Sequence, residues 1–184
     1  MGNDIFCLKS IKESLRDPYN YLQSWNFNNK MKALFVLCSI HKKNFQIWIS
    51  RANFLVIQNC TSLTGLDFSI NTLSGTIPEN TATLLPFVTS LDQSSNKFSG
   101  AIPMSLANCT DLNALKLDQN RLSYHFPQQL GLLQRPRTFT VSNNSLTGPV
   151  PNFTNGHVVV NYSNNEGLCG PSLRPCPNNS STGH

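Results

Sequence analysis

The sequence predicts an α/β repeat solenoid: a right-handed coil of short turns with a short parallel sheet on its concave face and a cap at each end. Two observations carry that expectation. The stretch LSGTIP, Leu73 to Pro78, is written again as FSGAIP at Phe98 to Pro103, LSYHFP at Leu122 to Pro127 and LTGPVP at Leu146 to Pro151. The asparagines that precede these stretches, Asn71, Asn96, Asn120 and Asn144, stand 25, 24 and 24 residues apart. A fixed period of this size marks coils that stack and share one core.

Taken from the N-terminus, residues 1–29 read as a cap. Ile5, Leu8, Ile11 and Leu15 recur at steps of three and four, which predicts a helix begun near Asn3 or Asp4 and ended before Pro18. Residues 30–57 lose the period and read as a degenerate cap and first repeat or as mis-joined coding sequence. An amphipathic membrane-surface segment is disfavoured there because Lys42 and Lys43 split the apolar runs. Residues 58–151 hold four repeats, 152–177 a C-terminal cap and 178–184 a polar tail.

Within the repeats, apolar residues stand at fixed offsets before each Asn: Leu63, Leu66 and Phe68, then Val88 and Leu91, then Leu112, Leu115 and Leu117, then Phe139 and Val141. Leu73, Phe98, Leu122 and Leu146 follow it. The template LxxLxLxxNxLxGxIP is that of a leucine-rich repeat. Each Asn is expected to line up with the next, because an amide can satisfy both donors and acceptors that a turn would otherwise bury. Gly75, Gly100 and Gly148 permit a bend closed to residues with a Cβ. Four positions break the pattern. Gln93 replaces an inward Leu, Tyr124 and His125 replace Gly and a small residue, and Pro136 takes a strand-start position.

Charged residues are only 12% of the chain, and the net charge of +5 is accounted for by Lys30, Lys32, Lys42, Lys43 and Arg51. No basic face lined with aromatics is left in the repeats, which disfavours nucleic acid as a partner. Cys169 and Cys176 lie in GLCGPSLRPC, a short loop that a disulfide would close with little strain. Cys60 and Cys109 fill the same offset in successive coils and read as small buried hydrophobes. Sequons begin at Asn59, Asn108, Asn143, Asn152 and Asn161, and again at Asn178 and Asn179, in keeping with a secretory route and an oxidising compartment. The first residues lack a basic n-region and a long apolar core, so a leader and any anchor are expected to have been removed or to lie outside this sequence.

The string Leu8, Lys12, Leu15, Asp17-Pro18, Leu22, Ser24-Trp25-Asn26 resembles the N-terminal cap of plant leucine-rich-repeat receptors, and NNEGLCGPSLRPC their C-terminal cap. TLLPFVTSLDQSSNKFSGAIPMSLANCTDLNALKLDQNRL and GLLQRPRTFTVSNNSLTGPVPNF resemble the ectodomain of small plant receptor-like kinases that interact with SERK co-receptors. The resemblance implies a single-pass plasma-membrane receptor that restrains immune and growth signalling, with a kinase or pseudokinase inside the cell. Its ectodomain would dock a co-receptor ectodomain on the extracellular side.

None of His41, His125, His157 and His184 stands in a metal-ligand spacing or beside a nucleophile motif, and no phosphate loop or kinase signature occurs. No catalytic residue, metal or cofactor is therefore expected, and the function left is recognition. Outward strand positions should form the grid Gly65, Asp67, Ser69; Ser90, Asp92, Ser94; Ala114, Lys116, Asp118; Thr138, Thr140, Ser142. Its three carboxylates suit a flat protein or peptide partner with a basic patch. The rival readings are a secreted inhibitor of a microbial wall-degrading enzyme and a truncated product without function.

Overall fold

The computed structural model describes residues 64–153 and 157–177. The expected N-terminal cap, the 30–57 segment, Asn59, Cys60 and the polar tail lie outside them. In the described chain each turn of the coil contributes two short strands, and each strand pairs in parallel with its counterpart in the neighbouring turn. The first sheet runs β1 (Gly65–Asp67), β3 (Ser90–Asp92), β5 (Ala114–Lys116), β7 (Thr138–Thr140) and β9 (Val159–Asn161). The second sheet stacks β2 (Ser74–Thr76), β4 (Lys97–Gly100), β6 (Arg121–His125), β8 (Ser145–Pro149) and β10 (Gly167–Cys169). Only the first was expected from the sequence. The second forms because the residues after each Asn stay extended up to the Ile-Pro step, and repeats of nearly equal length bring them into register, for example Gly75 against Phe98. Short helical turns close the coils on the remaining side, at Thr81–Leu84, Met104–Asn108 and Gln128–Leu132.

The core is the set of template positions. Leu66, Leu91, Leu115 and Phe139 occupy one column of the first sheet, in register and 0–2% exposed. Leu73, Phe98, Leu122 and Leu146 follow the turn at 0–1%, and Ile77, Ile102, Phe126 and Val150 fill the slot before each Pro. Toward the C-terminal end aromatics take over. The Phe126 ring packs against Phe139 at 5.6 Å and edge-on to Tyr162 at 5.9 Å, and Phe139 against Phe153 at 5.3 Å.

The worn positions behave as their chemistry requires. Gln93 stands fully buried with both side-chain polar atoms unpartnered, which makes it a defect in the column between Phe68 and Leu117. Val88 and Leu112 donate their N–H to Leu85 and Cys109 carbonyls. Pro136, in the same slot, cannot donate, but it precedes β7, so Arg137 and Thr138 still bond Asn113. The segment expected as a cap continues the coil: β9 joins the first sheet, β10 joins the second, and Cys169 and Cys176 form the expected disulfide.

Candidate recognition surface

The turn that leads from one sheet to the other is built by one residue type. Asn96 Oδ1 accepts the Leu73 N–H at 2.9 Å, and its amide donates to the carbonyls of Phe68, Gln93 and Ser94. Asn120 accepts from Phe98 and donates to Gln93, Leu117 and Asp118. Asn144 accepts from Leu122 and donates to Leu117, Val141 and Ser142. Asn71 donates to Phe68 and Ser69. The four asparagines thus form the expected column. A fifth rung was missed in the sequence: Asn165 accepts from Leu146 and donates to Val141, Tyr162 and Ser163. Its coil is shorter, with Asn165 only 21 residues after Asn144, so a search at the standard period passes over it.

The residue before each ladder Asn takes a left-handed backbone in all five turns, at Ile70, Ser95, Gln119, Asn143 and Asn164, with φ between 54° and 56°. Most of this column is polar and linked from coil to coil. Ser95 Oγ bonds Gln119 Oε1 at 3.0 Å, and Asn164 donates to Asn143 Oδ1 at 2.7 Å. Ile70 is the exception, a β-branched residue in a conformation that its branching disfavours.

The first sheet places Gly65, Ser90, Ala114 and Thr138 in one outward row and Asp67, Asp92, Lys116 and Thr140 in another. All but one of the polar members of these rows are partly exposed, and Lys116 is exposed. Ser94 and Asp118 lie just beyond the strands and are partly exposed. Two members of the expected grid are not on the surface. Ser69 and Ser142 are each 5% exposed. Both lie past the strand ends, where the alternation that would turn them outward stops; Asp67 accepts the Ser69 N–H at 2.9 Å. Asp92 does the same for Ser94, and Asn161 for Ser163. Ser142 is held instead by Asp118 from the coil before, through its N–H at 2.8 Å and its hydroxyl at 2.7 Å.

The carboxylates are consequently not a free acidic patch. Asp92 pairs with Lys116 at 3.3 Å, and Asp118 also takes the Thr140 hydroxyl. They tie coil to coil. What remains outward is a hydroxyl-rich surface with one lysine, bordered by the exposed Val159 and Val160 of β9. Among the described residues no group of three or more His, Cys, Asp or Glu side chains could hold a metal, and no helix is long and apolar enough to cross a membrane.

The sequons differ in setting. Asn108 is exposed at the end of the Met104–Asn108 turn, and Asn152 is exposed in a loop. Asn143 is exposed but engaged by Asn164 and by Ser142 Oγ, and Asn161 sits on the edge strand with its carbonyl bonded to Ser163. Cys109 is unpaired and 1% exposed, and burial pushes its thiol up to about 11.

No protein-family model matches the chain. Among curated proteins it is 39% identical over 127 residues to the inactive leucine-rich-repeat receptor-like serine/threonine-protein kinase BIR2 of Arabidopsis thaliana, covering 60% of this chain and 20% of BIR2. A second Arabidopsis thaliana leucine-rich-repeat receptor-like protein kinase is 38% identical over 97% of this chain and 31% of its own length. The chain therefore spans less than a third of either relative. Among solved structures, the BIR2 ectodomain of Arabidopsis thaliana superposes with TM-score 0.73 at 37% identity, over 93% of this chain and 96% of that one. BIR3, solved in a complex with SERK2 from the same plant, gives TM-score 0.69 at 34% identity, over 94% of this chain and 98% of its own. A stacked Asn column, two parallel sheets and identity above 30% across nearly the whole of two ectodomains place this chain in the family of plant leucine-rich-repeat receptor-like kinases, as a chain of their ectodomain type.

Proposed function

We propose that the chain is a non-catalytic extracellular recognition module that docks a SERK-type co-receptor ectodomain and thereby regulates immune or growth signalling at the plasma membrane. The observation that carries this reading is the solved BIR3–SERK2 complex, whose BIR3 chain is matched over 98% of its length. Supporting it, the first sheet presents Asp67, Ser90, Ser94, Lys116, Thr138 and Thr140 on its exposed and partly exposed positions, most of them short polar side chains. Such a surface suits a broad protein contact better than a small molecule.

The test is binding of purified SERK2 ectodomain by biolayer interferometry. The parent chain is expected to bind, and a Ser90→Arg/Thr138→Arg variant, which adds bulk to one outward row, is expected to lose at least tenfold in affinity. These two positions are chosen over the carboxylates because removing Asp118 would also release Ser142 and Thr140. Absence of binding by the parent chain would overturn the reading.

A further inference from the structure

The copy of the repeat that strays furthest from its template lies in β6. Where the other three copies hold Gly75, Gly100 and Gly148, with φ of 103°, 82° and 83°, β6 holds Tyr124 with φ of 72°. A tyrosine is disfavoured there, having neither glycine's freedom nor the short local hydrogen bond of Asn or Asp. Burial does not offset that cost, since Tyr124 is 67% exposed. The strands on either side, β4 and β8, hold glycine at the same offset of their own repeats, while the register sets Tyr124 against Leu146 and Gly100 against Leu122. His125, also exposed, lies over the next coil: a Cβ on Gly148 would come 2.8 Å from its Cδ2. Strain held at an exposed aromatic residue, with no structural gain from it, points to a contact made outside the chain.

Charge singles out the same face. Lys97 opens β4 and Arg121 opens the neighbouring β6, where Arg121 stands opposite Ser99. Both are exposed. Among the described residues the ion pairs are Lys116 with Asp92 and Arg135 with Asp111, so neither of these two cations is neutralised. By contrast, Asp92 and Asp118 of the first sheet are engaged within the chain. None of the five strands of the second sheet contains the Asn of a sequon, whereas Asn161 of the first sheet does.

We propose that Lys97, Arg121, Tyr124 and His125 form a docking strip for an acidic patch on a partner ectodomain, with Tyr124 as its anchor. Tyr and Arg are the side chains that most often dominate protein interfaces, and cations at the edge of a contact speed association in a salt-dependent way. The strip rests on the reading that this module docks a co-receptor, and adds a second face to it.

SERK2 ectodomain is again the probe, measured by interferometry at low and high salt alongside thermal melts. Tyr124→Gly restores the residue the backbone asks for, so its melting temperature should match or exceed the parent's while affinity falls at least tenfold. Lys97→Glu/Arg121→Glu, confined to exposed side chains, should slow association several-fold and remove most of its salt dependence; it keeps the test decisive if the glycine variant melts lower. Parent-like binding by both variants would overturn the strip and leave the co-receptor reading standing. No binding by the parent chain would overturn both.

Discussion

A single amide does the work of several waters at each turn of this coil. Asn96 is 9% exposed and links backbone groups of residues 68, 73, 93 and 94, so Asn96→Ala would leave buried donors and acceptors with no replacement. Each such group costs about 1–3 kcal/mol, and chemical denaturation should report a loss at least that large. The opposite sign is expected one column away. Gln93→Leu removes two orphaned polar atoms while keeping the backbone carbonyl that Asn96 and Asn120 use, and it should raise stability by about 1–3 kcal/mol. Both residues were legible in the sequence, the first by its recurrence and the second by its departure from an apolar column. Ser69 and Ser142 were not. Period-two alternation gave no sign that the strands would end before them, or that Asp118 would hold Ser142 from the coil before.

At the scale of the element, the coils differ in how much each depends on covalent or titratable support. The Cys169–Cys176 bridge closes a loop with a sequence separation of 7 around β10, the last strand of the second sheet. Replacing both cysteines by serine should cost about 2–3 kcal/mol on the loop-entropy estimate, seen first as lost hydrogen-exchange protection in β10 and the Asn165 turn. Cys109, behind the Met104–Asn108 turn, is pushed up from 9.0 to about 11 by burial. Tyr162, packed on Phe126, is pushed from 10.0 to about 12 by the same cause. In both, the folded state holds its proton more tightly than the unfolded chain. Their contribution is therefore intact at neutral pH and is lost as pH rises above about 9 and through the folded values. A melt series from pH 7 to 11 should show stability falling only in its upper part, and Cys109 should resist a thiol reagent at pH 8 until the protein is unfolded.

For the whole molecule, among the described residues, strand pairing runs from each coil to its neighbours, as both sheets show. Stability in such an array is close to a sum of coil and interface terms. Defects such as Gln93 and Pro136 are then tolerated locally, and the aromatic packing of Phe126, Phe139, Phe153 and Tyr162 anchors the C-terminal part. Function follows from the same geometry. A one-dimensional stack offers two long faces, and among the described residues they differ in chemistry: hydroxyls and internally paired charges on the first sheet, an exposed aromatic and two cations outside any ion pair on the second.

The amino-acid sequence by itself determined the repeat, its core columns, the Asn column, the disulfide and the family resemblance, because each is a local rule repeated at a fixed period and so adds up along the chain. Only the tertiary structure decided the second sheet, the fifth Asn rung, the burial of Ser69 and Ser142 and the pairing of the carboxylates. Those depend on which groups meet between coils some two dozen residues apart, and a distance across the stack is not written in the spacing along it.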